Sequence, residues 1–155
     1  MRVRKESEIE AARTEADAWV GELSDRDLAM FALALYAGEG SKTEGGIGFA
    51  NSDPDLIRLF LRWLRSSFDI DESRLRARLY LHADLDIDRA TDFWVKQTGI
   101  PADQFHQPYR AVVDETMRHR RHVHGCLTVR YHSRSLQRRV MAKIMAVASS
   151  LADPG

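Results

Sequence analysis

A single carboxylate, Glu39, stands between two glycines at the end of the apolar run Phe31-Ala-Leu-Ala-Leu-Tyr-Ala-Gly-Glu-Gly-Ser41. Ala34, Ala37 and Gly38 recur about one helical turn apart, so a helix here has one side stripped of bulk, along which another backbone can approach. An acid at a helix C-terminus opposes the macrodipole, and it persists where a cation or another task retains it. On these residues alone two readings stand. Glu39 is a carboxylate kept for chemistry, or it is a solvated acid beside a glycine-rich turn while the small residues pack a core.

A second group of residues points to polyanions. Residues 74–82 and 123–132 alternate with period two, as half-buried strands do. Leu75, Ala77, Leu79 and Leu81 share one face of the first, and Arg74, Arg76, Arg78, Tyr80 and His82 the other. In the second, Val123, Gly125, Leu127, Val129 and Tyr131 oppose His124, Cys126, Thr128, Arg130 and His132. Arg and His without acids suit phosphate or base contacts, although alternation of this kind is also the wet face of any half-covered sheet. The segment Arg118-His-Arg-Arg-His-Val-His124 is the densest basic cluster, and Arg118, Arg120 and Arg121 there form either a phosphate-gripping loop or a solvated turn.

Other chemistries fit poorly. His119, His122, His124 and Cys126 match no tetrahedral zinc spacing. Asp84, Asp86 and Asp88 open like a calcium loop, but Arg89 and Val95 stand where glycine and a bidentate glutamate are needed, so helix capping explains them better. No Ser-His-Asp, phosphate-loop or dinucleotide pattern occurs.

The elements that must position these residues follow from the rest of the chain. Its 155 residues, 44% hydrophobic, suffice for one domain with one core. The formal net charge is zero, yet residues 1–30 and 31–103 each carry −3, while nine basic against three acidic side chains give 104–155 a charge of +6. The longest uncharged stretch, Leu28 to Gly38, is 11 residues, far short of a bilayer span. One cysteine, Cys126, and a charged N-terminus point to a cytoplasmic protein. Residues 1–24 are expected as an accessory helix, one face apolar (Ile9, Ala12, Ala16, Trp19, Val20) and the other acidic, and 25–152 as one domain. Ser24 with Asp27 reads as a capping box before the helix of 28–38. Glycines at 45, 46 and 48 mark a turn and short strand, and Asp53-Pro54 starts a helix to about Phe68. A further helix spans roughly 87–98, closed by Gly99. Residues 104–110 look irregular, 111–114 read as a short strand, and Ser133 or Ser135 caps a last helix through about Leu151.

The glycine-flanked acid after a small-rich helix resembles the signature helix of the LAGLIDADG homing endonucleases. Leu33-Ala34 stand where that family has Ala-Gly, Gly38-Glu39-Gly40 carry its acid between small residues, and Ala37 stands where an aspartate is frequent. The likeness continues through Ile47-Gly-Phe-Ala-Asn-Ser-Asp-Pro54 and ends with Gly125 to Ser133 and its helix, spanning about 27–148. The helix at 87–98 departs from the minimal family core. The resemblance implies an α+β fold with a curved antiparallel sheet, helices packed on one face, and the open face laid along the major groove. It further implies a site-specific DNA endonuclease that hydrolyses phosphodiesters with Mg²⁺ or another divalent cation. Glu39 is then the metal ligand, with Gly38 beside it, and Lys42 or Lys96 supplies charge near the cleaved phosphate. One signature helix carries one acid, so a homodimer joined through Ala34, Ala37 and Gly38, acting on pseudo-palindromic double-stranded DNA, is implied. DNA contacts fall to Arg76, Arg78, Tyr80, His82, Arg118, Arg120, Arg121, His124, Thr128, Arg130 and His132. A DNA-binding protein or transcription regulator that does not cut is the alternative on the same fold.

Overall fold

The computed structural model describes residues 2–111 and 122–153, and the fold is α+β. In chain order the elements are α1 (Arg2–Val20), α2 (Asp25–Glu39), β1 (Ile47–Asn51), α3 (Pro54–Ser67), β2 (Arg76–His82), α4 (Ile87–Thr98), β3 (Phe105–Ala111), β4 (Cys126–Tyr131) and α5 (Arg134–Ala152). Most helix starts obey local chemistry. Ser24 and Asp27 form a reciprocal capping box on α2. Asp53 caps α3 with Pro54 in its first turn, Asp86 caps α4, and Ser133 caps α5. Gly99 closes α4 in the left-handed conformation, where a side chain would be strained.

The four strands lie in the order β1-β4-β2-β3. Strand β4 pairs antiparallel with β1 and with β2, whereas β2 and β3 are parallel. The sheet is therefore mixed, where the family resemblance implied an antiparallel one. The reason is α4: parallel neighbours need a crossover long enough to return the chain to the same end of the sheet, and a helix supplies it. Residues 105–110, expected to be irregular, are the body of β3. Of the short strand expected at 111–114, Ala111 ends β3 and the remainder lies outside the described residues.

One sheet face is covered. Ile47, Phe49, Leu75, Ala77, Leu79, Leu81, Leu127 and Val129 are buried there with Tyr36, Phe60, Trp63, Trp94 and Val140 from α2, α3, α4 and α5. Phe49 stacks on Phe60 with ring centroids 4.8 Å apart, so β1 and α3 share one aromatic layer. Arg65 binds both carboxylate oxygens of Glu72 and the Thr98 carbonyl, tying the end of α3 to that of α4. Helix α1 is different: every residue from Val3 to Asp27 is exposed, and Trp19 keeps 85% of its surface, so the apolar residues of α1 cover nothing among the described residues. Among the described residues no helix is long and apolar enough to cross a membrane.

Candidate nucleic-acid interface and the Glu39 carboxylate

Alternation along β2 and β4 turns one set of side chains into the core and the other outward, and pairing places the outward sets side by side. Across the open face Gly48, Arg130 and Arg76 form one row, Ala50, Thr128, Arg78 and His106 the next, and Cys126, Tyr80 and Tyr109 the third. Arg76, Arg78, Tyr80, Thr128, Arg130 and His132, all singled out from the sequence, line a groove of about 610 Å³ together with His106 and Tyr109. No acid is among its described lining residues. Like charges directly opposite across a sheet repel, and Arg76 faces Arg130 in this way. Arg76 relieves part of that by donating to the Ser73 and Leu75 carbonyls. Arg78 and Arg130 are exposed, and a polyanion is the counter-charge such a face accommodates.

Other expected contacts lie elsewhere. His124 does not face outward, because the chain turns over His122–Gly125 and β4 begins only at Cys126. Gly125 takes φ +68, which breaks the alternation, and the His124 ring stacks on Phe93 of α4 at 3.9 Å while its carbonyl accepts from the Trp94 indole. His82, half-buried at the end of β2, does not line the groove. Arg118, Arg120 and Arg121 lie outside the described residues. Burial pushes the Cys126 thiol up from its ordinary value, which suits a packing role over a reactive one.

His106 and Tyr109 were missed because Pro108 interrupts their segment. The signal was present, since a proline inside such a run also marks an edge strand, and β3 is the edge.

Glu39 occupies the last position of α2, beside the opposite edge of the sheet. Its Oε2 accepts from the Asn51 side-chain amide at 2.7 Å, and Asn51 Oδ1 in turn accepts from the Asp53 N–H. The cap of α3 thus orients the acid at the end of α2. The backbone leaves α2 through Gly40, which bridges to Phe49, and Ser41, whose N–H donates to the Gly48 carbonyl. Tyr36 anchors this exit: its hydroxyl donates to the Ser41 carbonyl at 2.6 Å and accepts from the Gly48 N–H, and burial pushes its phenol up from the ordinary value. Lys42 folds back so that its ammonium donates to the Tyr36 and Gly40 carbonyls. That contact caps the negative end of α2 and offsets the unfavourable placement of Glu39.

Arg130 and His132 line both the basic groove and a small cleft formed by residues 41–48, so the segment following Glu39 borders the basic face. Ala34, Ala37 and Gly38 are exposed, with Phe31 also open on α2. For a divalent cation, one chain offers the exposed Glu39 carboxylate and the neighbouring Gly38 carbonyl. Among the described residues no three His, Cys, Asp or Glu side chains converge. Mg²⁺ keeps several waters and often takes only one or two carboxylates, so a single carboxylate with one carbonyl is a sparse donor set of the kind that ion accepts.

Neither protein-family models, nor characterised proteins, nor solved structures match this chain. The LAGLIDADG likeness accordingly rests on the quoted residues.

Proposed function

We propose that this protein binds DNA on the open face of its sheet and, as a symmetric pair joined through α2, hydrolyses a phosphodiester with Glu39 holding a divalent cation. The groove of Arg76, Arg78, Arg130, His106 and His132, with no acid among its described lining residues, is the observation that carries the binding half. The cutting half draws on the resemblance and on the Asn51 bond that holds Glu39 in place. A divalent cation there supplies charge stabilisation to the cleaved phosphate. Asn51 orients the carboxylate, and the arginines fix the strand. A second copy on the bare face of α2 supplies the second acid and extends the basic surface beyond the β1 edge.

A second reading, DNA binding without cleavage, is favoured by one specific feature. The Lys42 ammonium is committed to the carbonyls of α2 and is not free beside Glu39.

Binding and cleavage are separable in one experiment on a pool of duplex DNA. Arg78→Ala and Arg130→Ala should each weaken retardation and lower the salt slope by about one for every phosphate that is no longer neutralised. Glu39→Gln keeps the shape and removes the charge, so it should retard DNA as the wild type does while losing Mg²⁺-dependent nicking. Retardation that ignores both arginines and added salt would remove the sheet as the contact surface. A wild type that binds without nicking would leave only the second reading.

A further inference from the structure

Strand β3 runs beside β2 with a defect. Arg78 pairs with His106 and Tyr80 with Tyr109, so two residues, Gln107 and Pro108, lie between the β3 partners where β2 has only Leu79 between its own. Simple alternation from the outward His106 would turn Tyr109 toward the helices. The extra residue of the bulge reverses that parity, which is what bulges beside functional surfaces characteristically do. Tyr109 consequently stands on the open face and stacks on Tyr80, ring centroids 5.0 Å apart and planes 17° from parallel. Both rings remain exposed, 47% for Tyr80 and 59% for Tyr109, in a groove whose other walls are Arg76, Arg78, Arg130 and His106. Each ring covers one face of its neighbour, and more than half of the Tyr109 surface stays open at the edge of the sheet.

An edge strand can be protected by a bulge and a proline alone, and neither requires two aromatic rings in water on an arginine-bearing face. Flat, exposed aromatic side chains beside a row of cations are the means by which nucleobases outside a base-paired stack are held. We propose that Tyr80 and Tyr109 form a stacking shelf for an unpaired base at one end of the groove, the arginines of the two adjoining rows, Arg78 and then Arg76 with Arg130, gripping the phosphates that lead to it. The ligand class is nucleic acid presenting an unstacked base, either a single strand or a duplex opened at one position. This deepens the nucleic-acid reading of the groove and rests on it.

The test uses three labelled DNA ligands of one sequence: a single strand, a perfect duplex, and a duplex with one unpaired 2-aminopurine. Anisotropy gives affinity, and 2-aminopurine quenching reports stacking. Tyr109→Ala should weaken the single strand or the opened duplex about tenfold and abolish quenching, while leaving the perfect duplex within twofold. Tyr109→Phe, which keeps the ring, should behave as the wild type. Tyr80→Ala gives an independent check should Tyr109→Ala melt early. Loss confined to the opened duplex identifies local opening as the source of the base, and loss on the single strand identifies a single-strand ligand. If Tyr109→Ala and Tyr80→Ala bind all three ligands as the wild type does while Arg130→Ala weakens them, the shelf is wrong and the basic interface stands. If no ligand binds in a salt-dependent way, the nucleic-acid reading itself fails and the shelf with it.

Discussion

Gly38 and Gly40 flank the same carboxylate but answer to different neighbours. A Cβ on Gly40 would run into the ring of Tyr36, which is wholly buried and hydrogen-bonded at its hydroxyl, so neither partner can yield. A Cβ on Gly38 meets nothing within 4 Å. Gly40→Ala should therefore destabilise the fold by about 1–3 kcal/mol, the range of overpacked cores, and a thermal melt will show it. Gly38→Ala should stabilise the isolated chain by roughly 0.5–1 kcal/mol, because glycine near a helix end is entropically poor. Weakened association in a Gly38→Ala variant that melts higher would locate the contact on the bare side of α2. The Asn51 amide is the other residue whose meaning is tertiary, since it joins Glu39 to the Asp53 backbone across two elements.

Among the elements, α1 and β3 part company with local expectation in opposite ways. Helix α1 has an apolar stripe and still contributes nothing to the core, all its described side chains being exposed. Removal of residues 1–22, which keeps the Ser24 cap of α2, should shift the melting temperature by no more than about 2–4 °C, equivalent to roughly 1 kcal/mol in a domain of this size. A larger fall would mean that α1 packs against the domain in solution. Strand β3 carries a proline and polar residues, and it nevertheless completes the sheet as its edge, because Arg110 reaches the loop after β2 and donates to the Ala83 and Leu85 carbonyls.

At the scale of the whole molecule, charge and small residues are segregated. The basic groove lies on the open face of the sheet, whereas Ala34, Ala37 and Gly38 lie on a helix beside the β1 edge. A two-fold pair through α2 would place two Glu39 carboxylates between two basic faces, and Ala34→Leu should break that pair while leaving the exposed site unstrained. Sedimentation at tens of micromolar checks it, the wild type running as a dimer and the variant as a monomer. A monomeric wild type would remove the shared site.

Much of this arrangement was legible from local order in the chain. The capping box of α2 and the N-cap of α3 depend on residues within four positions of one another, and the outward arginines of β2 and β4 follow from period-two alternation. Such features need no knowledge of the partner strand. The parallel seat of β3 was not legible, because its pairing is made with residues about 28 positions away and its own alternation is broken by the bulge at Gln107 and Pro108. The inward turn of His124 depends on Gly125 adopting a left-handed backbone against β2, and Lys42 could be placed on the α2 carbonyls only once Tyr36 had anchored the exit of that helix. Sequence alone determined which side chains of the regular stretches of β2 and β4 could face water together. The tertiary structure decided which of them meet, because pairing across strands and helix ends is set by packing between distant segments and not by local periodicity.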